Sequence, residues 1–391
     1  MPSVTPRVAP AMPLPADAVV DPRIGSSGAC LLALEDGVVF EGVAFGATQA
    51  GGGDLVVNTS QTGYQEVCTD PSYAGQVVVM TFPLIGNHGR FSDDDQSEQP
   101  WLGGLAESHG TAAVLGRARQ IVHLLRSAGV PAIAGLDTRA LARHLRASGS
   151  LRGVITAPGE TDAEAAVAAA QSVPIWEEQD FVSRVSATAP YEVGVRGPVV
   201  AVVDLGLKTN IVRSLHRRGA RVRVLPHTAA AEDVLRSDVD GVVISPGPGD
   251  PGLLDEQVAL ARAVIADGRP LLGICLGHQI VARAAGASTR RLRFGHHAAN
   301  HPVRDEVSGR VTVTAQNHEV EVVSESLPEG SGFYVSQRNL NDGSVEGLRH
   351  HARPIETVQY HPEGSPGPLD AAEVFDRFLG HVRAQAPLET P

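Results

Sequence analysis

The run Gly273-Ile274-Cys275-Leu276-Gly277-His278-Gln279 sets a thiol between two glycines at the end of the apolar stretch Pro270 to Ile274. A strand that turns sharply into a helix cramps the backbone at the turn, and glycine on either side lets neighbouring chain pass close. Cys275 would then sit at the positive end of a helix starting near Gly277, where peptide N–H groups favour thiolate and can hold a developing oxyanion. Far downstream, Gln359-Tyr360-His361-Pro362-Glu363 offers a base for the thiol and a carboxylate to fix that base's tautomer. Cys275, His361 and Glu363 are therefore a candidate catalytic triad of nucleophile, base and orienter. Taken singly, a buried cysteine is an inert small hydrophobe and a His-Pro-Glu is a surface turn. Their joint position at the ends of two expected strands favours catalysis.

The elements around them alternate. Val199 to Asp204 is a continuous apolar run, Leu207 to Arg218 carries apolar residues three and four apart, and Arg221 to Leu225 alternates. Next come a helix over Ala230 to Arg236, a strand over Gly241 to Ser245, the turn Pro246-Gly247-Pro248-Gly249-Asp250-Pro251 and a helix from about Leu254 to Asp267. The pattern predicts a mostly parallel sheet flanked by helices, with its active site at the carboxyl ends of the strands, where Cys275 and the Pro246 to Pro251 turn both fall. Further on, Arg310 to Ala315, Gly332 to Ser336 and Thr357 to Tyr360 read as strands, Asn341-Asp342-Gly343 as a hairpin turn, and Asp370 to Arg383 as a closing helix.

The first part of the chain reads as mixed α and β. Cys30 to Phe45 forms two strands about Glu35-Asp36-Gly37, and Gly51 to Gly53 punctuate the stretch beyond them. Asp137 caps a helix over Thr138 to Ala147, and Asp162 to Gln171 is an alanine-rich helix. Periodicity fades between Ser172 and Gly197. The expected division is a disordered extension over 1–27, a first domain over 28–172, a linker over 173–197 and a second domain over 198–386.

Composition narrows the class. With 391 residues, 42% hydrophobic and 19% charged, the chain has room for two packed domains. A formal charge of −12 argues against a nucleic-acid partner, and no apolar run is long enough to imply a membrane one. Three cysteines, Cys30, Cys68 and Cys275, suit neither a disulfide framework nor a zinc site, which implies a reducing, cytoplasmic setting. His296, His297, His301 and His318 match no standard metal spacing, so no metal is expected. Lys208 is the sole lysine among 32 basic residues.

Gly273 to Gln279 followed by His361-Pro362-Glu363 resembles the class I, or triad, glutamine amidotransferases. The first half adds Asn58-Thr59-Ser60-Gln61-Thr62-Gly63-Tyr64-Gln65-Glu66, Thr69-Asp70-Pro71-Ser72-Tyr73, Pro83-Leu84-Ile85-Gly86-Asn87 and Ile133-Ala134-Gly135-Leu136-Asp137-Thr138-Arg139. In that order these are similar to the small-subunit domain of carbamoyl-phosphate synthase. The resemblance runs from about Cys30 to Arg383. It implies release of ammonia from L-glutamine and its passage to a large ATP-using subunit, in a heterodimer or higher assembly. No cofactor is implied in this chain; ATP and Mg belong to the large subunit.

The resemblance also implies roles for individual residues. The N–H groups of Leu276 and Gly247 would form the oxyanion hole. Gly249, Gln279, Asn317, Glu319, Val320 and, in the first domain, Ser72 would line the glutamine site. Glu319 and Val320 stand where the family has glycine and an aromatic residue, and the Glu319 carboxylate is expected to point away from the substrate's own. Gly103 to Arg126 and Ala298 depart as well. Lys208, matching a family lysine, is expected on the ammonia exit route or a subunit contact, paired with an acidic residue such as Asp70. The alternatives are a free-standing glutaminase and a regulatory subunit with a weakened site.

Overall fold

The computed structural model describes residues 5–9, 28–83, 85–108 and 118–385, and the chain divides into two compact units, Met1–Gln179 and Asp180–Pro391. The stretch expected as a disordered extension is ordered at Arg7–Val8, which pairs in parallel with Val38 and Val39, while 1–4 and 10–27 lie outside the described residues. Within the expected linker, Trp176–Glu178 forms a turn of 3₁₀ helix, Val182–Val185 a short α-helix and Tyr191–Val193 a strand.

In the first unit the strands run in the order Val38–Gly46, Ala29–Leu34, Arg152–Ile155, Gly51–Asn58, Gln76–Met80, Gly104–Glu107 and Pro131–Ala134. The last returns to pair with Val43 to Gly46, so the sheet closes on itself. Asp137 caps Thr138–Ser148 by accepting the Ala140 N–H at 2.8 Å, and Leu141 and Leu145 of that helix pack with Leu32, Val77 and Ile133 of the sheet. Gly51 to Gly53 are not punctuation: they open a strand. A Cβ on Gly53 would stand 2.0 Å from the Gly75 carbonyl and one on Gly52 2.5 Å from that of Gly153, so glycine is what lets these strands lie together.

The second unit is built on a ten-stranded sheet whose centre is the expected parallel α/β core. Arg221–Pro226, Val199–Asp204, Gly241–Ile244, Leu271–Ile274 and Ile355–Val358 are neighbours in that order, all parallel. Alternation divides their side chains between two faces. Ala201, Val203, Val242, Ile244 and Leu271 join Val258, Ala261 and Ile280 of the helices Asp255–Asp267 and Leu276–Ala284. Val200, Val202, Val243, Leu272 and Ile274 join Ile211, Leu215, Phe375 and Leu379 of Thr209–Arg217 and Glu373–Gln385. Burying such side chains contributes about 1.5–3 kcal/mol each, which fixes both the strands and the loops at their ends.

Antiparallel strands extend this core, making the whole sheet mixed. Val345–His350, Phe333–Asn339, Thr289–Asp305 and Val311–Val322 continue from Ile355–Val358, and Tyr191–Val193 flanks the other edge. Thr289–Asp305 has no expected counterpart. Its pairing with Val311–Val322 shifts register between Arg291 and His296 and again between Ala298 and His301, which breaks the period of two that marks a strand in sequence.

Candidate active site

Four adjacent parallel strands bring their carboxyl ends together: Val199–Asp204 leads to Lys208, Gly241–Ile244 to Gly247, Leu271–Ile274 to Cys275, and Ile355–Val358 to His361. Residues separated by more than 150 positions thereby share one corner of the sheet.

Cys275 adopts φ 53° and ψ −106°, a left-handed conformation that costs a non-glycine residue about 1–3 kcal/mol. Its surroundings enforce it. The Cys275 N–H donates to the Val358 carbonyl at 2.8 Å, and the Gly277 N–H donates to Ser245 O at 3.1 Å. A Cβ on Gly277 would lie 2.1 Å from the Ile244 carbonyl and one on Gly273 2.8 Å from Gly277 O, so no other residue allows this turn without moving backbone. Leu276 opens the helix, and its N–H, with no intrahelical acceptor, is directed out of the first turn beside the thiol. Gly247 is equally constrained, because its Cβ would meet Leu205 O at 2.0 Å, and Gly249 takes φ 94°. The Cys275 Sγ lies 3.5 Å from the Asn317 carbonyl.

His361 is anchored through its N–H to Ala315 O at 2.9 Å. Its Nδ1 meets Glu363 Oε1 at 2.7 Å, which places hydrogen on Nδ1 and leaves Nε2 for the nucleophile. Nε2 is buried and makes no hydrogen bond of regular geometry. Burial pulls the imidazole down, but the Glu363 carboxylate overrides it; Lys208 opposes that rise, Cys275 adds to it, and the ring ends raised to about 10. Burial pushes the Glu363 carboxyl up, yet Lys208 first and His361 second hold it down to about 2.

Lys208 is thus part of the triad's surroundings. It is 2% exposed, its Nζ stands 3.0 Å from Glu363 Oε1 and donates to Gly364 O at 2.9 Å. Asp204 shapes the turn that delivers it, accepting the Gly206 and Leu207 N–H groups at 2.8 and 2.7 Å. The sequence marked Lys208 by its singularity and its strand end, but the partner at Glu363 carried no local signal. A lysine that serves only an exit route would leave the thiol chemistry alone. One that holds the orienter does not.

The remaining candidates divide. Gln279 Nε2 donates to Val320 O at 2.9 Å and to Gln359 Oε1 at 3.1 Å, so its amide nitrogen is committed to the protein. Val320 O also accepts from His318 Nδ1 at 2.8 Å. Asn317 Oδ1 stands 3.0 Å from His297 Nδ1. The Glu319 carboxylate lies 2.7 Å from His297 Nε2 and 3.5 Å from Arg291 Nη2. Ser72 belongs to the other unit, where its N–H donates to Asp70 Oδ1 at 2.9 Å and its buried Oγ has no partner.

Of the four histidines weighed in the sequence, two come together with a partner the sequence did not single out, Glu346. His296 and His318 face each other in register, and with Glu346 they offer ligand atoms within 4.8 Å of one another. Those atoms bond among themselves and their neighbours: His296 Nδ1 meets His318 Nε2 at 3.2 Å, and Glu346 accepts from Asn339 at 2.7 Å and Gln316 at 2.8 Å. His296 Nε2 reaches Asp342 at 2.8 Å. Burial raises the Glu346 carboxyl to about 7 against the pull of those two amides. Spacing along the chain could not show the grouping, because it depends on the bulged register.

Comparison with known proteins accords with this geometry. Residues 201–381 match the family described as glutamine amidotransferase class-I, and residues 32–155 match the carbamoyl-phosphate synthase small chain, CPSase domain. The carbamoyl phosphate synthase small chain of Symbiobacterium thermophilum is 47% identical, over 90% of this chain and 98% of its own. The chain belongs to the carbamoyl phosphate synthase small chains. Other members include that of Bacillus caldolyticus, 43% identical over 90% of this chain and 96% of its own. The pyrimidine-specific small chain of Bacillus subtilis is 42% identical over 89% and 94%. The family assignment makes this a glutamine amidotransferase of a carbamoyl phosphate synthase, and a free-standing glutaminase is not favoured. Among the described residues no helix is long and apolar enough to cross a membrane.

Proposed function

We propose that Cys275, His361 and Glu363 hydrolyse L-glutamine and that the ammonia released passes to a large, ATP-dependent subunit that makes carbamoyl phosphate from bicarbonate. The Cys275 sulfur attacks the side-chain amide carbon while His361 holds the thiol proton and then delivers it to the departing ammonia. Glu363 keeps Nδ1 protonated and the ring in plane with the thiol. The N–H groups of Leu276 and Gly247 steady the tetrahedral oxygen. A water then attacks the thioester carbon, His361 takes its proton and returns it to sulfur, and glutamate leaves. Gly249, Gln279 through Oε1, Asn317 and Val320 hold the substrate's remaining polar groups, with Glu319 beside them and facing His297.

The observation that carries this reading is Cys275 at positive φ on a strand-to-helix turn, hydrogen-bonded through its N–H to the strand that ends in His361 and Glu363. The match of residues 32–155 to a domain named for this synthase supports a large-subunit partner. The chain works in the cytoplasm, in a heterodimer or a larger assembly of such pairs. It carries no cofactor of its own, and ATP and Mg²⁺ act in the partner. The test is to purify the chain with the large polypeptide that accompanies it in its host and to measure glutamate and carbamoyl phosphate together. One glutamate per carbamoyl phosphate is the expected result, with free ammonia able to replace glutamine. Carbamoyl phosphate formation from ammonia that glutamine cannot support would contradict the proposal.

A further inference from the structure

Three strands each bring one buried metal-ligating side chain to a common point: His296 from Thr289–Asp305, His318 from Val311–Val322 and Glu346 from Val345–His350. They are 8%, 6% and 0% exposed. The ladder between the first two strands shifts register before His296 and again after Ala298, and the three residues His296 to Ala298 are all buried. A regular strand would turn alternate side chains to opposite faces, so the irregularity gathers these side chains inward.

Hydrogen bonding fixes both imidazoles. His318 Nδ1 stands 2.8 Å from Val320 O, and His296 Nε2 stands 2.8 Å from Asp342 Oδ2. A carbonyl and a carboxylate only accept, so the one proton of each neutral ring lies on that outer nitrogen. The inner nitrogens, His296 Nδ1 and His318 Nε2, then face each other with lone pairs at 3.2 Å. Two acceptors at that distance repel, and a positive species between them, a proton or a metal ion, resolves the conflict.

We propose that this species is Zn²⁺, held by His296 Nδ1, His318 Nε2 and a Glu346 oxygen, with water in the fourth position. Nitrogens bound to one tetrahedral zinc at about 2.0–2.1 Å stand about 3.3–3.4 Å apart, which matches the spacing of the two rings. Glu346 Oε1 lies 3.9 Å from His296 Nδ1, and all three ligand atoms lie within 4.8 Å of one another, so the carboxylate closes on the ion with a shift of about 1 Å. The Asn339 and Gln316 amides reach Glu346 at 2.7 and 2.8 Å, one on each oxygen, which leaves each oxygen a second lone pair. Every ligand thus has an outer partner that orients it, as metal-bound imidazoles and carboxylates do. Charge favours the ion over the proton: Glu346 and Asp342 flank the pair, and a proton balances one carboxylate where a divalent ion balances both. The absence of a metal was expected from spacing along the chain, whereas the site is assembled by strand register. Its role is to tie three strands together where the backbone ladder is interrupted, and it stands apart from the glutamine reading.

The test uses the full chain, purified without a histidine tag, stripped with a chelator and titrated with Zn²⁺ alone. One equivalent should bind and raise Tm, and Mg²⁺ in its place should leave Tm unchanged. X-ray absorption at the zinc edge should show nitrogen and oxygen ligands without sulfur. His318→Gln should abolish stoichiometric binding. Asp342→Asn, at a side chain 41% exposed that keeps an acceptor for His296, should fold as wild type and weaken zinc by about 10-fold or more; it decides the matter should H318Q not fold. Failure of the wild type to take up one equivalent would show that a proton fills the gap and overturn the proposal. So would a sulfur ligand at about 2.3 Å, which would place the ion on Cys275 instead, or wild-type zinc affinity in D342N.

Discussion

Lys208→Met removes a buried cation from Glu363 while keeping a slim side chain of similar length. At the 3.0 Å separation of Nζ and Oε1, the gross attraction is about 5 kcal/mol at an effective dielectric near 20. Desolvation offsets much of that in the intact pair, but deleting one partner leaves the Glu363 charge to His361 alone and costs about 3 kcal/mol, the low end for breaking a buried pair. For a unit of this size the corresponding fall in Tm is about 10 °C. The function should suffer too, since the Glu363 carboxyl is held down by Lys208 more than by His361. Losing the orienter outright costs about 10⁴-fold in a comparable triad. Here the bond from His361 Nδ1 survives, so a loss of about 10²-fold in kcat is expected. Calorimetry and a glutaminase assay on the same preparation check both. If K208M melts with wild type and hydrolyses glutamine at the wild-type rate, while more glutamine is consumed per carbamoyl phosphate, then Lys208 serves ammonia transfer alone and the electrostatic reasoning fails.

His361→Asn should cost about 10⁶-fold in glutaminase kcat and Glu363→Gln about 10⁴-fold, measured as glutamate release; a reversed ranking would mean the roles are exchanged. The same pair predicts the pH dependence of stability. Glu363, depressed to about 2, contributes stability that is present above the ordinary carboxylate pKa and is lost as pH falls through about 2. His361, raised to about 10, contributes stability that is fully present below the ordinary imidazole pKa and is lost as pH rises toward 10. The stability gap between wild type and E363Q in urea unfolding should therefore be widest near pH 5–6 and narrow by pH 9; a gap that widens from pH 6 to pH 9 would contradict the sign of the His361 shift, and one that widens from pH 5 down to pH 2 that of the Glu363 shift.

The range of the forces involved decides which features were legible in the sequence and which were hidden. Val199–Asp204 is legible to the residue because it is buried on both faces and reads as an unbroken apolar run. The elbow at Cys275 is legible because close backbone approach demands glycine at fixed offsets, as the 2.1 Å clearance at Gly277 shows. Gly51 to Gly53 use the same logic to the opposite effect: the glycines that elsewhere mark turns here permit strands to crowd. The placement of Lys208 against Glu363 and of His297 between Asn317 and Glu319 was hidden, since each depends on which strands become neighbours and in what register. The lone lysine and the unfamiliar Glu319 were visible as oddities without an address. For Glu319, only the paired register of Thr289–Asp305 with Val311–Val322 supplies one.

Cys275→Ser offers the most direct test of the central claim. The change keeps the volume and the turn at positive φ but replaces the attacking sulfur with a far weaker nucleophile. In the complex with its large subunit, glutamine hydrolysis and glutamine-dependent carbamoyl phosphate synthesis should fall to background while synthesis from free ammonia continues at the wild-type rate. Glutamate release persisting in the purified C275S complex would show that the sulfur is not the nucleophile.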